Sequence, residues 1–126
     1  MNRLVLCVCA MLAAPLSFAG DISGVWRLSN GPAWIEVSLD SGDATVVRNE
    51  QFPERVGRKI LKGLQADGSK ENLWQGQVYA EKQGEYKDAK ILLSTPDLMI
   101  ITVKVGFISR TIEWVRVDAL PPETLE

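Results

Sequence analysis

Histidine is absent from this chain of 126 residues, and its only two cysteines, Cys7 and Cys9, lie in an apolar run at the very start. Without histidine, a Ser-His-Asp triad and a histidine-ligated zinc are both excluded. If the leading run is removed on export, the mature chain also lacks a cysteine nucleophile and any disulfide. An exported protein of that kind depends on its core and its hydrogen bonds alone. Excess positive charge is missing too. Fourteen basic residues face 16 acidic ones, a formal net charge of −2, so the basic surplus that marks nucleic-acid binding is not there. Nor is there an apolar run of the roughly 20 residues that a membrane-spanning helix needs.

What the start does contain reads as a signal peptide over residues 1–19. Arg3 supplies a positive beginning, Leu4 to Leu16 an apolar stretch, and Ser17-Phe18-Ala19 a small-x-small cleavage site. Neither cysteine follows the small residue that a lipoprotein signal places before its lipidated cysteine, which argues against an acyl anchor. Cleavage after Ala19 predicts a periplasmic or secreted protein. Residues 20–117 then form one domain of modest size, large enough for a single core. Residues 118–126 form an acidic, proline-containing tail.

The pattern between these ends is β throughout. Met99, Ile101, Val103 and Val105 share one face of a strand, and Leu98, Ile100, Thr102 and Lys104 share the other. This is the period of two expected of a half-buried strand. Gly106-Phe107 follows, and Gly106 suits the first central position of a type II′ turn, where φ is positive. Ile108 to Val117 is the return strand. Ile108, Arg110, Ile112, Trp114 and Arg116 fall on one face; Ser109, Thr111 and Glu113 fall on the other. Upstream, strands are predicted at Gly24 to Ser29, Ala33 to Leu39, Ala44 to Arg48, Leu73 to Ala80 and Tyr86 to Leu93. Arg58 to Leu64 reads as a short strand or a single helical turn. No segment of length has a helical period. Short strands at near-regular spacing, separated by turn residues, predict an all-β antiparallel up-and-down barrel of about eight strands.

Gly24-x-Trp26 near the start of the first strand resembles the opening motif of lipocalins and their calycin relatives. A resemblance covering most of the mature chain is carried by Gly57-Arg58-Lys59-Ile60-Leu61-Lys62-Gly63-Leu64, Asp67-Gly68, Trp74-x-Gly76-x-Val78-Tyr79, Tyr86-x-x-x-Lys90-Ile91 and Arg110-Thr111-x-x-Trp114-x-Arg116-Val117. In order and spacing these are similar to the bacterial secreted family labelled domain of unknown function 2147. The chain departs from that pattern in lacking a glycine-containing strand between Leu39 and Gly57, and in carrying Lys82-Gln83-Gly84 where an acidic, proline-containing turn is usual. The resemblance implies a lipocalin-like barrel in the cell envelope, with no established activity. It also implies that Gly24, Trp26 and Arg116 close one end of the barrel. With an even number of alternating strands, the first strand begins where the last one ends. Arg110 lies about 20 Å further up the last strand and does not fit that role.

Arg110, Ile112 and Trp114 are the candidate ligand-binding residues. If their face points inward, Arg110 is a charge in an apolar cavity and needs a partner. That partner is either the carboxylate of a fatty-acid-like ligand or an internal acid such as Glu36 or Glu81. The basic run Arg55, Arg58, Lys59 and Lys62 is either an anionic-headgroup site or a solvated loop. Asp40, Asp43 and Asp67 sit in turns and offer too few oxygens at fixed spacing for calcium. Paired carboxylates could cleave a glycoside, but no spacing selects a pair, so the expected protein is not an enzyme and carries no cofactor. Two readings follow. The first is a barrel holding a small apolar or anionic lipid-like ligand. The second is a periplasmic protein-interaction module that acts through its loops, with Glu50 to Gly57 or Ala66 to Asn72 making the contacts.

Overall fold

The computed structural model describes residues 21–118; the expected signal peptide with its cleavage site, and the tail beyond Asp118, lie outside them. Eight strands run in order: β1 (Gly24–Leu28), β2 (Ala33–Ser38), β3 (Asp43–Asn49), β4 (Lys59–Ala66), β5 (Leu73–Ala80), β6 (Glu85–Thr95), β7 (Leu98–Val105) and β8 (Ile108–Val117). Each pairs antiparallel with the next, and β8 returns to β1, which closes the sheet into a barrel. The expected fold class is thus the observed one. The ambiguous segment after Arg58 is strand β4. The only helical turn among the described residues lies earlier, as a 3₁₀ turn at Pro53–Arg55, where Pro53 supplies the fixed φ of a first helical position.

The period of two sets the barrel wall. Trp74, Val78, Ala89, Ile91, Ile101 and Val103 are buried, while Gln75, Lys90 and Lys104 next to them are exposed. The interior is filled mainly by large apolar groups. Trp26, Ile35, Leu61, Ile91, Met99 and Ile101 are fully buried, with Trp74 and Trp114 nearly so, and no polar or charged residue is buried among the described residues. An eight-stranded barrel is just wide enough for side chains to fill or for one small ligand. Burying one indole removes about 150–250 Å² from water, worth roughly 4–6 kcal/mol as an upper bound.

Because neighbours alternate in direction, the β2–β3, β4–β5 and β6–β7 turns gather at one end, with the start of β1 and the end of β8. The β1–β2, β3–β4, β5–β6 and β7–β8 connections gather at the other. The β7–β8 hairpin has unbroken register from Leu98↔Val115 to Val105↔Ile108. Its turn has φ +68° at Gly106 and no positive φ at Phe107, as a type II′ turn requires. The closing seam is short: β1 and β8 meet in four residue pairs, Val25–Leu28 against Val117–Trp114. β8 is ten residues long and β1 five, so the first half of β8 runs past the end of its neighbour.

Candidate functional site

The two ends of the barrel differ in kind. At the end where β1 begins, Trp26 is fully buried and its Nε1–H donates to the Ile22 carbonyl at 3.0 Å. Arg116 faces Trp26 across the seam, with its guanidinium carbon 4.4 Å from the ring centroid. The same guanidinium donates to three carbonyls: Nε to Pro96 at 2.8 Å, Nη1 to Ser23 at 2.8 Å and Nη2 to Asp21 at 2.7 Å. One arginine thus ties the lead-in, the β6–β7 turn and the seam together. Gly24 makes room for it. Its φ is +124°, and a Cβ there would lie 3.2 Å from Arg116 Nη1. The polar groups of Trp26 and Arg116 are all directed at other parts of the chain, so Gly24, Trp26 and Arg116 form a plug.

At the opposite end β8 runs past the last residue of β1. Trp114 shares rungs with Leu28 and Met99. It is buried, and its Nε1–H has no hydrogen-bond partner. Ile112, one step up on the same face, is half-buried, and Arg110, the next, is exposed. The expected charge inside an apolar cavity is therefore corrected: Arg110 lies on the inner-face side of β8, opposite buried Val103, but above the level at which β1 ends. With no wall beside it, the guanidinium stays in water. Neither acid proposed for it is its partner. Among the described residues Arg110 makes no ion pair, and Glu81 instead binds Arg58 and Arg55.

Beyond Arg110 the hairpin ends in Phe107, which is fully exposed, and Ile108, which is 61% exposed. Val56, on the β3–β4 connection across the same end of the barrel, is 49% exposed. Sequence reasoning passed over these residues. The available signal was Phe107 itself, an aromatic residue in a two-residue turn where small polar residues are the habit.

The basic run is compensated rather than free. Arg58 Nη1 donates to Glu81, and this bond holds the guanidinium pKa above its usual value. Lys59 pairs with Asp43 at 3.1 Å, and Lys62 sits 3.9 Å from the Tyr86 ring centroid. Of the turn acids, Asp67 accepts hydrogen bonds from the Ser69 hydroxyl at 2.6 Å and the Ser69 amide at 2.9 Å, which hold its carboxyl below the ordinary range. No group of three or more potential metal ligands forms among the described residues, and no helix there is long and apolar enough to cross a membrane. A concavity of about 760 Å³ is lined by Gln75, Gln77, Asp88, Lys90, Thr102 and Lys104, among others. These residues alternate with the buried ones, so it lies on the outer wall and not in the barrel. No family model, curated protein or solved structure matches this chain.

Proposed function

We propose that this protein is a non-enzymatic interaction module of the cell envelope that engages a protein partner through the end of its barrel that bears the β7–β8 turn. The observation that carries this reading is the β7–β8 hairpin. It holds a fully exposed phenylalanine beyond the seam while large apolar side chains fill the space below. An exposed aromatic beside the exposed Ile108 has the composition of an interface centre, where aromatic anchors dominate the energetics. The signal-peptide reading places the module in the periplasm or outside the cell, as does the resemblance to the secreted family. A photocrosslinking residue at Phe107 in living cells, compared with one at Asp97 of the closed end, tests the reading. A discrete protein adduct at Phe107 and none at Asp97 is expected. Equal labelling at both ends, or adducts to lipid alone, would overturn it.

One observation favours a second reading. The unpartnered indole N–H of Trp114 lies below Ile112 and Arg110 on a single strand face. An amphipathic ligand entering the mouth could give that N–H an acceptor and present a carboxylate to Arg110. Arg110→Leu should then weaken a fatty-acid-like probe about ten- to a hundredfold and leave stability unchanged. Undiminished affinity, or no binding by the wild-type protein, sinks this reading.

A further inference from the structure

Resting on the protein-partner reading, we propose that the partner docks as an added β-strand. An extended peptide segment pairs with the free edge of β8 over residues 108–112, carrying an acidic side chain opposite Arg110 and apolar side chains opposite Ile108 and Ile112.

The backbone supplies the first argument. The Ser29 amide donates to the Glu113 carbonyl at 3.0 Å, so Glu113 directs its backbone groups toward the β1 side. In a strand the N–H and C=O of one residue point to the same side, and alternate residues repeat that direction. Thr111 and Ser109 therefore aim their N–H and C=O groups the same way, past the last residue of β1. Ile108, Arg110 and Ile112 direct theirs to β7, consistent with Val105 and Ile108 flanking the two-residue turn. β1 pairs with β8 only from Trp114 onward, and no backbone hydrogen bond reaches Ser109 or Thr111 from that side among the described residues. Both residues are exposed. Two donors and two acceptors are thus held in extended geometry by β7 and left to solvent.

Such an edge is a template for another strand unless it is blunted by proline, a bulge or charge. No proline stands in β8, and the β7–β8 ladder has no register shift. Arg110 is the one charge on the inner face of this stretch, and it selects the occupant. In the two-fold pairing of two copies that overlaps residues 108–112 fully, Arg110 would lie opposite the same arginine, and like charges directly opposed are unfavourable. An acid in that position completes a charge-assisted pair instead. Ile108 and Ile112 flank it on the same face and want apolar neighbours. The complementary segment therefore alternates apolar, any, acidic, any, apolar, a pattern that reads the same in either direction. Strand addition of this kind takes affinity from main-chain bonds and specificity from alternate side chains.

The test uses two synthetic peptides that alternate threonine with valine and differ only in a central glutamate or lysine. Isothermal titration should show the glutamate peptide binding at least about tenfold more tightly, and Arg110→Glu should invert the order. Amide exchange at Ser109 and Thr111 should slow on binding. Thr111→Pro removes an N–H that points away from β7, so the hairpin ladder survives while affinity for the glutamate peptide falls about three- to tenfold. Exchange in the wild-type protein decides the matter even if that variant fails to fold. Equal affinities, no binding, or unchanged exchange at both amides would overturn the strand-addition proposal. So would a concentration-dependent dimer in sedimentation with Thr111 protected, which would assign the edge to a second copy. If the Phe107 adduct forms while any of these results holds, only the mode of docking falls; if the adduct itself fails, the protein-partner reading falls with it.

Discussion

Replacing Arg116 with methionine tests the closed end most sharply. Methionine keeps much of the apolar stem and removes the guanidinium, with its three carbonyl contacts and its position over Trp26. A hydrogen bond from a charged group contributes about 1.5–3 kcal/mol, but the three contacts are not equal. Those to Pro96 and Asp21 are exposed, so water can replace the donor and each loss falls to about 0.5 kcal/mol. The contact to Ser23 is partly buried and keeps the larger figure. Loss of the cation over the indole adds roughly 0.5–1 kcal/mol. Together, Arg116→Met should cost roughly 3–5 kcal/mol, a large part of the 5–15 kcal/mol typical of a domain. Urea denaturation followed by tryptophan fluorescence gives the number directly. A loss below about 1 kcal/mol with unchanged m-value would refute the assignment of Arg116 as the tie between lead-in, turn and seam. Arg116→Lys sharpens the argument, because an ammonium can sit over the ring but cannot span three acceptors in one plane. Full stability in that variant would show that charge, and not fork geometry, matters here.

Trp26→Ala should destabilise by about 3–5 kcal/mol in the same assay; a loss under about 1 kcal/mol would mean Trp26 is not core. Gly24→Ala forces a side chain into a positive-φ position 3.2 Å from Arg116 Nη1, so a loss of about 1–3 kcal/mol is expected. Equality with wild type would show that the arginine yields freely. Asp67 has its folded pKa lowered by Ser69, so its contribution is present above the ordinary carboxylate value and is lost as pH falls through the folded one. The melting-temperature gap between wild type and Asp67→Asn should therefore be widest near neutrality and narrow in acid; a gap independent of pH would contradict this.

Side-chain alternation carried most of the architecture. The period of two in β7 and β8, and the turn at Gly106, were readable because each residue's face depends only on its own position along the strand. The plug was readable for a similar reason: antiparallel alternation brings the start of β1 to the end of β8 whatever lies between. Arg110 was misplaced because alternation assigns a face and says nothing of the height of the neighbouring strand. β1 ends opposite Trp114, four residues short of Arg110, and a side chain without a wall beside it is solvated whichever way it points. The destination of Arg58 was hidden for a different reason. Glu81 lies 23 residues away in sequence, and no local pattern selects it among the acids available. Phe107 escaped notice because turns are read for the residues that permit them, and Gly106 alone satisfied the geometry.

The short seam has a kinetic side. Arg116 reaches Asp21 across 95 residues of chain, so closing the barrel carries a large loop-closure entropy, yet the β1–β8 seam itself has only four residue pairs. Contacts of that separation form late in folding. Where few pairs are lost, local opening takes less free energy than global unfolding. The seam is therefore expected to open before the barrel as a whole unfolds. Each pair that frays from its Leu28 end uncovers further backbone of β8, so the length of edge offered to solvent fluctuates with the seam, and a variant that loosens the plug at Arg116 should lengthen it.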